Sequence, residues 1–526
     1  MTPARRSGAV ELPRAGGPYV DQPRGFDLFR LPLVRRFVRW KYARLALQLP
    51  LLVLALFVIV DGLTGRQLAP RNVATTATWL HYRGLVVLAL ALFGNAFCAA
   101  CPLMLTRGAS RRLKRLLRAD LRFPRSLRNK WLVLGITLAY FIAYEAFDLW
   151  ASPWLTAWLV VGYFGSALVV DTLFPAGTFC RYVCPLGNFN FALSAASPTQ
   201  IVAVDPDVCR RCVHKPCLHG RVSGPGMVAP ATADTSAVRA APERTAFIPM
   251  SEIVNPNGSG YFPGCESDLL VPAITSNLDC TLCFNCVRAC PYDNVALSVR
   301  APGRELSKDP WRRRFGASAL ALGVLLTFWG VVNALAMTSP FFAFTGRLSE
   351  LLGTRSEVLI LALAYLAVTT VGLLATVAVA WSADRLGGKR SSPLAAFRRW
   401  GYVTVALGFG FWGAHYVFHF LTGALSVVPV FEHFFEYRGF PLDPHWRLAQ
   451  VVPTRWLFPI QAVLGAVYAG LGLATAVRIG VRDFGLRRGV LAMWPLTVYV
   501  LGFLALQLVI LAQPMEMRGT LAGPLP

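Results

Sequence analysis

The sequence predicts a polytopic α-helical membrane protein of about nine spans, interrupted by one cysteine-rich extramembrane domain. Three observations lead there. Of 526 residues 55% are hydrophobic and only 15% charged, where soluble domains average about 25% charged. Uncharged runs approaching the ~18–20 residues that cross a bilayer recur along the chain. All twelve cysteines lie between Cys98 and Cys290.

The runs begin near Arg44, Gly84, Trp131, Ala151, Phe315, Val358, Trp400, Trp456 and Gly489. The first is short, Leu45 to Val60, and the third carries Glu145 and Asp148 near its far end. Four runs precede a polar, Pro- and Gly-rich segment and five follow it. The expected divisions are a basic arm over 1–43, a four-span domain over 44–196, an extramembrane domain over 197–310 and a five-span domain over 311–526.

The net charge is +25. A nucleic-acid surface is the usual suspicion for such a balance, but here the basic residues cluster beside the apolar runs, so no nucleic-acid partner is expected. Basic loops stay cytoplasmic. "FRLPLVRRFVRWKYAR", "RGASRRLKRLLRADLRFPRSLRNK", "WRRRF", "DRLGGKRSSPLAAFRRW" and "RIGVRDFGLRR" all fall on one side if the chain crosses at every run. That predicts a bacterial inner-membrane protein with its N-terminus and the 197–310 domain in the cytoplasm and its C-terminus outside. The first 25 residues lack an apolar signal-peptide core, so the first span is expected to serve as an uncleaved signal.

The cysteines carry the chemistry. Crowded on a cytoplasmic face, they point to metal rather than to disulfides, which suit small secreted domains. Cys280, Cys283, Cys286 and Cys290, followed by Pro291, have the spacing C-x2-C-x2-C-x3-C-P, the bacterial ferredoxin run. A zinc ribbon built from paired CxxC motifs is the competing reading; the third cysteine and the C-P ending favour iron–sulfur. In two-cluster ferredoxins the fourth cysteine ligates the other cluster. Cys209, Cys212 and Cys217 of "CRRCVHKPC" therefore join Cys290 around one [4Fe–4S] cluster, and Cys265, Cys280, Cys283 and Cys286 hold the second. The 197–310 segment is thus expected to be a bacterial-ferredoxin-like 2×[4Fe–4S] α+β domain. The stretch from Leu218 to Gly264 reads as an irregular surface insertion, partly disordered. His214 and His219 read as solvated loop residues.

Four cysteines remain, in "FCAACPLM" (Cys98, Cys101) and "FCRYVCPLG" (Cys180, Cys184). Both pairs end inward-going runs and can meet at the cytoplasmic surface. Buried small residues at helix ends would explain them blandly; CxxCP and CxxxCP point instead to a third iron–sulfur or other metal site, or to redox-active thiols.

At this point the chain resembles the membrane-bound polyferredoxins of the NapH/NosR type, which combine span-terminal C-x3-C-P motifs with a cytoplasmic 2×[4Fe–4S] domain. The resemblance covers roughly Leu85 to Leu297. The five-span tail, with "GAHYVFHFLTG" and "QPMEMRGT", resembles FesM-like membrane iron–sulfur proteins. The sequence departs from the pattern at "CAACP", one residue short, and at the stretched first ferredoxin motif. The resemblance implies electron transfer between a cytoplasmic-face donor or acceptor and quinone, or a membrane or periplasmic partner.

His415 and His419 lie at i and i+4 on one helix face, about 21 and about 27 Å from the inner edge at ~1.5 Å per residue. Ionisable residues at such depth default to function. Three readings stay open: a quinone site, a structural pair, or a haem b or other metal site. One haem cannot take both, because axial ligands approach from opposite faces; a second ligand would come from His81, His433, His445, Met337, Met515 or Met517. Glu145 and Asp148 approach the same side. Glu432, His433, Glu436, Asp443 and His445 of the loop Phe431 to Arg447 fit either proton exchange or plain solvation.

Two function classes follow. One is a membrane-anchored electron carrier or quinone-linked oxidoreductase component. The other is an accessory, maturation or redox-sensing factor for a periplasmic metalloenzyme. No flavin or nucleotide motif is evident, and no repeat or substrate cavity favours a transporter.

Overall fold

The computed structural model describes residues 22, 25–40, 42–119, 121–212, 214–222, 261–311 and 315–515. The expected insertion falls mostly outside the described residues, as does Met517. The chain forms two compact units: Tyr42–Gln200 with Ser276–Cys283 and Arg300–Pro526, and Met1–Lys41 with Ile201–Thr275 and Phe284–Val299.

The first unit is a helical membrane unit. Among the described residues 7 helices are long and apolar enough to cross a bilayer. They are α1 (Ala43–Thr64), α2 (Val73–Phe93), α4 (Pro153–Leu173), α5 (Ala317–Leu335), α6 (Glu357–Leu386), α7 (Tyr402–Glu436) and α8 (Thr454–Leu511). The helix α3 (Trp131–Ala146) has 16 residues, about 24 Å at ~1.5 Å per residue, short of the ~30 Å hydrocarbon core.

The nine expected runs differ from these 7 helices for two reasons. One is the shortness of α3. The other is that the runs at Trp456 and Gly489 share α8, which leaves helical geometry at Gly485 (φ 73, ψ 175). A side chain there would be strained; glycine adopts this region freely. Around the break the two arms of α8 lie against each other. Gly480 and Gly489 approach so closely that an added Cβ would meet the opposing backbone at 3.3 and 2.9 Å, and Gly465 sits beside Gln507. Small residues that let backbones approach are the usual means of packing helices in lipid.

Helix α5 is the hub, 94% buried along its apolar window. Its Gly330 receives the Trp412 ring, and Gly408 of α7 seats Thr327. Helices α1 and α4 are buried over only 17% and 22% of theirs. Their outward Val53, Leu56, Trp158 and Val169 form an apolar face suited to lipid.

The second unit is small and mixed. Strand β1 (Thr199–Ala203), which enters it at Ile201, pairs with β4 (Val295–Val299); β2 (Arg221–Val222) runs antiparallel to β3 (Tyr261–Phe262). Three short helices, Pro206–Arg211, Pro216–His219 and Asn285–Ala289, carry Cys209, Cys217 and Cys286. The described part of the basic arm packs into this unit. Gln22 donates to Val271 O and Ile274 O and accepts from Ala203 N. Arg35 and Arg39 pair with Asp293 at 2.8 and 2.9 Å.

Candidate metal and redox sites

In the second unit, local sequence sets the first group of thiols. Pro206 opens the helix bearing Cys209, and Asp205 caps it by accepting from Asp207 N at 2.7 Å. Cys212 ends that helix, and Cys290 ends Asn285–Ala289. Cys209, Cys212, Cys217 and Cys290 line one cavity of about 20 Å³. Asn294 serves two of the sulfurs: its amide donates to Cys209 Sγ at 3.2 Å and its backbone N–H to Cys290 Sγ at 3.4 Å. Cys265 N donates to Cys217 O at 2.9 Å. Burial pushes the Cys290 thiol up to about 11 and the Cys217 thiol up to about 12. A coordinated cation reverses that preference, because a coordinating thiol is deprotonated outright. His214 and His219 are exposed.

Cys265 and Cys286 belong to the same unit, whereas Cys280 and Cys283 belong to the membrane unit through Ser276–Cys283. Within the membrane unit that short segment is held from both cysteine-bearing loops. On one side Asn95 donates to Cys280 O at 2.7 Å and to Asn277 O at 3.3 Å. On the other, Lys130 Nζ binds Asp279 at 2.6 Å, Arg181 O at 2.7 Å and Asn188 Oδ1 at 2.7 Å. The Lys130 and Asp279 side chains are both 0% exposed. Three acceptors match the three donors of the ammonium group, which is what makes such burial tolerable.

The span-end cysteines converge in the same unit. Cys98, Cys101, Cys180 and Cys184 line one cavity of about 180 Å³, together with Thr281 from the Ser276–Cys283 segment. Pro102 and Pro185 each begin a helical turn, as proline's fixed φ allows. Cys184 Sγ accepts from Gly187 N at 3.2 Å, and the Asn190 amide lies 3.6 Å from Cys98 Sγ. Cys180 Sγ is 3.5 Å from Met104 Sδ.

Along α7, His415 is fully buried, and neither ring nitrogen has a hydrogen-bond partner. Its ring stands 4.8 Å from that of His419, edge to face. His419 lines a cavity of about 280 Å³ with Arg83, Tyr144, Glu145, Asn333 and Met337. Asn333 donates to Glu145 Oε1 at 3.0 Å. The Arg83 guanidinium faces the rings of Trp79, Tyr144 and Tyr416 at 4.9, 4.5 and 5.2 Å. Asp148 is not among the lining residues.

Of the other ligands considered for a haem, Met337 lines this cavity, whereas the three histidines are paired elsewhere. Both ring nitrogens of His81 face backbone carbonyls, Thr76 O at 2.9 Å and Ala424 O at 3.1 Å. His433 pairs with Glu436 and His445 with Glu432. Met515 pairs through its backbone with Thr338. A third cavity, of about 100 Å³, shares Trp79 and Arg83 with the histidine cavity and Tyr82, Tyr163 and Asn190 with the thiol cavity. The cavities thus abut from the four thiols to His419.

Sequence reasoning missed Arg83, Asn333, Lys130 and Asp279. Arg83 stands just before the run starting at Gly84 and inside α2; an arginine inside a span is itself a functional signal.

Among the described residues no three His, Cys, Asp or Glu side chains form a group able to hold a metal ion. A mononuclear ion draws its ligands to ~2.3 Å of one point, whereas a cubane takes its four cysteines at four separate corners. The structure shows four thiols around each of two cavities, with N–H groups directed at some of the sulfurs. No family model, no curated protein and no solved structure matches the chain.

Proposed function

We propose that this chain is a membrane-anchored iron–sulfur electron-transfer protein of the polyferredoxin type, passing electrons between a redox partner at the cytoplasmic face and quinone. The observation that carries the reading is the four-thiol cavity of Cys209, Cys212, Cys217 and Cys290, residues up to 81 positions apart in sequence, two of whose sulfurs receive donors from Asn294. In a [4Fe–4S] cluster these thiolates would supply the four ligands, and the cluster would supply one-electron chemistry. Cys265, Cys280, Cys283 and Cys286 are the proposed ligands of the second cluster, in a ferredoxin-like cytoplasmic domain.

Quinone is favoured for the far end by the lining of the histidine cavity. Apolar and aromatic walls with a few convergent polar groups suit a small ligand. His419, Glu145 and Arg83 offer a proton acceptor, a carboxyl and a fixed positive charge, and quinone reduction needs protons as well as electrons. Under this reading the N-terminus and the ferredoxin-motif cysteines lie in the cytoplasm, which the basic loops support.

The test is stopped-flow mixing of anaerobically purified, dithionite-reduced protein with a short-chain quinone analogue. Reoxidation of the clusters that slows on replacing His419 supports the assignment. Reducible clusters that quinone never reoxidises would favour the accessory or maturation role.

A further inference from the structure

The four span-end thiols are not explained by the two ferredoxin clusters, whose eight ligands are already supplied. We infer that Cys98, Cys101, Cys180 and Cys184 ligate a third [4Fe–4S] cluster inside the membrane unit, next in line after the cluster that Cys280 and Cys283 help to hold. The inference deepens the proposed electron-transfer function and rests on it.

Three features of the site point there. The donor set is four thiols, the complement of a cubane, around a cavity of about 180 Å³. No carboxylate or imidazole joins the lining, which argues against a hard cation. The surroundings suit an anionic cluster: four thiolates on a 2+ core carry a net charge of about −2. Gly187 N and the Asn190 amide address Cys184 and Cys98 sulfur. Arg107, paired with Asp171 at 3.1 Å, lies in the electrostatic reach of Cys101 and Cys180, and Arg44 in that of Cys101.

The location supplies the purpose. Thr281 sits between Cys280 and Cys283 in sequence and lines the thiol cavity. Asn95, three residues before Cys98, donates to Cys280 O. Arg181, the residue after Cys180, lies 3.8 Å from Asp279. Each cysteine loop therefore touches the ferredoxin-motif segment directly. The transfer is a single electron: the cluster at Cys280 and Cys283 loses one as the third gains one, and no bond or proton moves. The electron is then at the mouth of the cavities that lead to His419.

The experiment is iron and acid-labile sulfide analysis of the anaerobically purified full chain, set beside the double variant C98S/C184S. The inference expects about twelve irons per chain, four for each of three cubanes. The variant should lose about four of them and keep the two ferredoxin signals in low-temperature EPR. About eight irons in the unaltered protein, or a variant that loses none, overturns the third cluster while leaving the proposed function standing; a chain without iron overturns both. Because the double variant can misfold, Asn190→Leu provides a second readout. It keeps all four thiols, and loss of the amide should lower the midpoint potential of one cluster alone with iron unchanged. If all three potentials stay where they were, the site assignment fails.

Discussion

Two buried polar centres of the membrane unit are built in opposite ways. At Lys130 and Asp279 an ammonium group with no solvent exposure meets three acceptors, each at 2.7 Å or less. At His415 two ring nitrogens, equally buried, meet none. The first arrangement fixes a segment in place: it locks Ser276–Cys283 against the loop that carries Cys180 and Cys184. The second leaves capacity unused, beside a cavity lined by His419, Glu145 and Arg83. Saturated polar groups hold structure; unsatisfied ones at depth mark places where something binds or a proton moves.

Substitutions can break this contrast, beginning with the largest effect. Lys130→Met should destabilise the protein by about 3–5 kcal/mol, because it takes the ammonium at 2.6 Å from a charged, buried Asp279 and leaves it the more distant Arg181 at 3.8 Å. The measurement is thermal unfolding in detergent, and K130M/D279N should recover most of the loss. An unchanged melting temperature for the single variant would show that the pair is not a lock. The histidine end should behave differently. His419→Ala should leave unfolding nearly unchanged and slow reoxidation by a quinone analogue ~10²-fold, within the range for a lost acid–base group. An equal loss of stability and rate would instead make His419 a packing residue.

A smaller effect sharpens the contrast by asking whether pairing fully offsets burial. Glu305 pairs with Arg300 outside the spans, yet burial pushes its carboxyl from 4.5 up to about 6. A carboxyl raised in the folded state holds its proton more tightly there than in the unfolded chain. Its contribution is therefore fully present below about pH 4.5 and is lost as the pH rises through about 6. The fall should reach ~2 kcal/mol. Unfolding measured at pH 4.5 and pH 7 should show that drop, and Glu305→Gln should flatten it.

The legibility of the chain follows the same division. Spacing alone marked Cys280 to Cys290, because four cysteines of one motif sit close together in sequence. It also grouped Cys209, Cys212 and Cys217 with Cys290, which line one cavity. Lys130 could not be read, since "RNKW" resembles any basic loop before a span and its acceptors come from positions 181, 188 and 279. Glu145 was visible by itself and Arg83 was missed, because only the folded helices bring the two to one cavity. The nine runs and the 7 long helices differ only where composition says nothing of geometry: two runs share α8 across the break at Gly485, and the run at Trp131 yields 16 helical residues.

The most direct test of the central claim is low-temperature EPR of the full chain, purified anaerobically and reduced with dithionite. The account predicts rhombic signals from reduced [4Fe–4S] centres that vanish when a quinone analogue is added. A colourless protein that holds only zinc and gives no signal would contradict it.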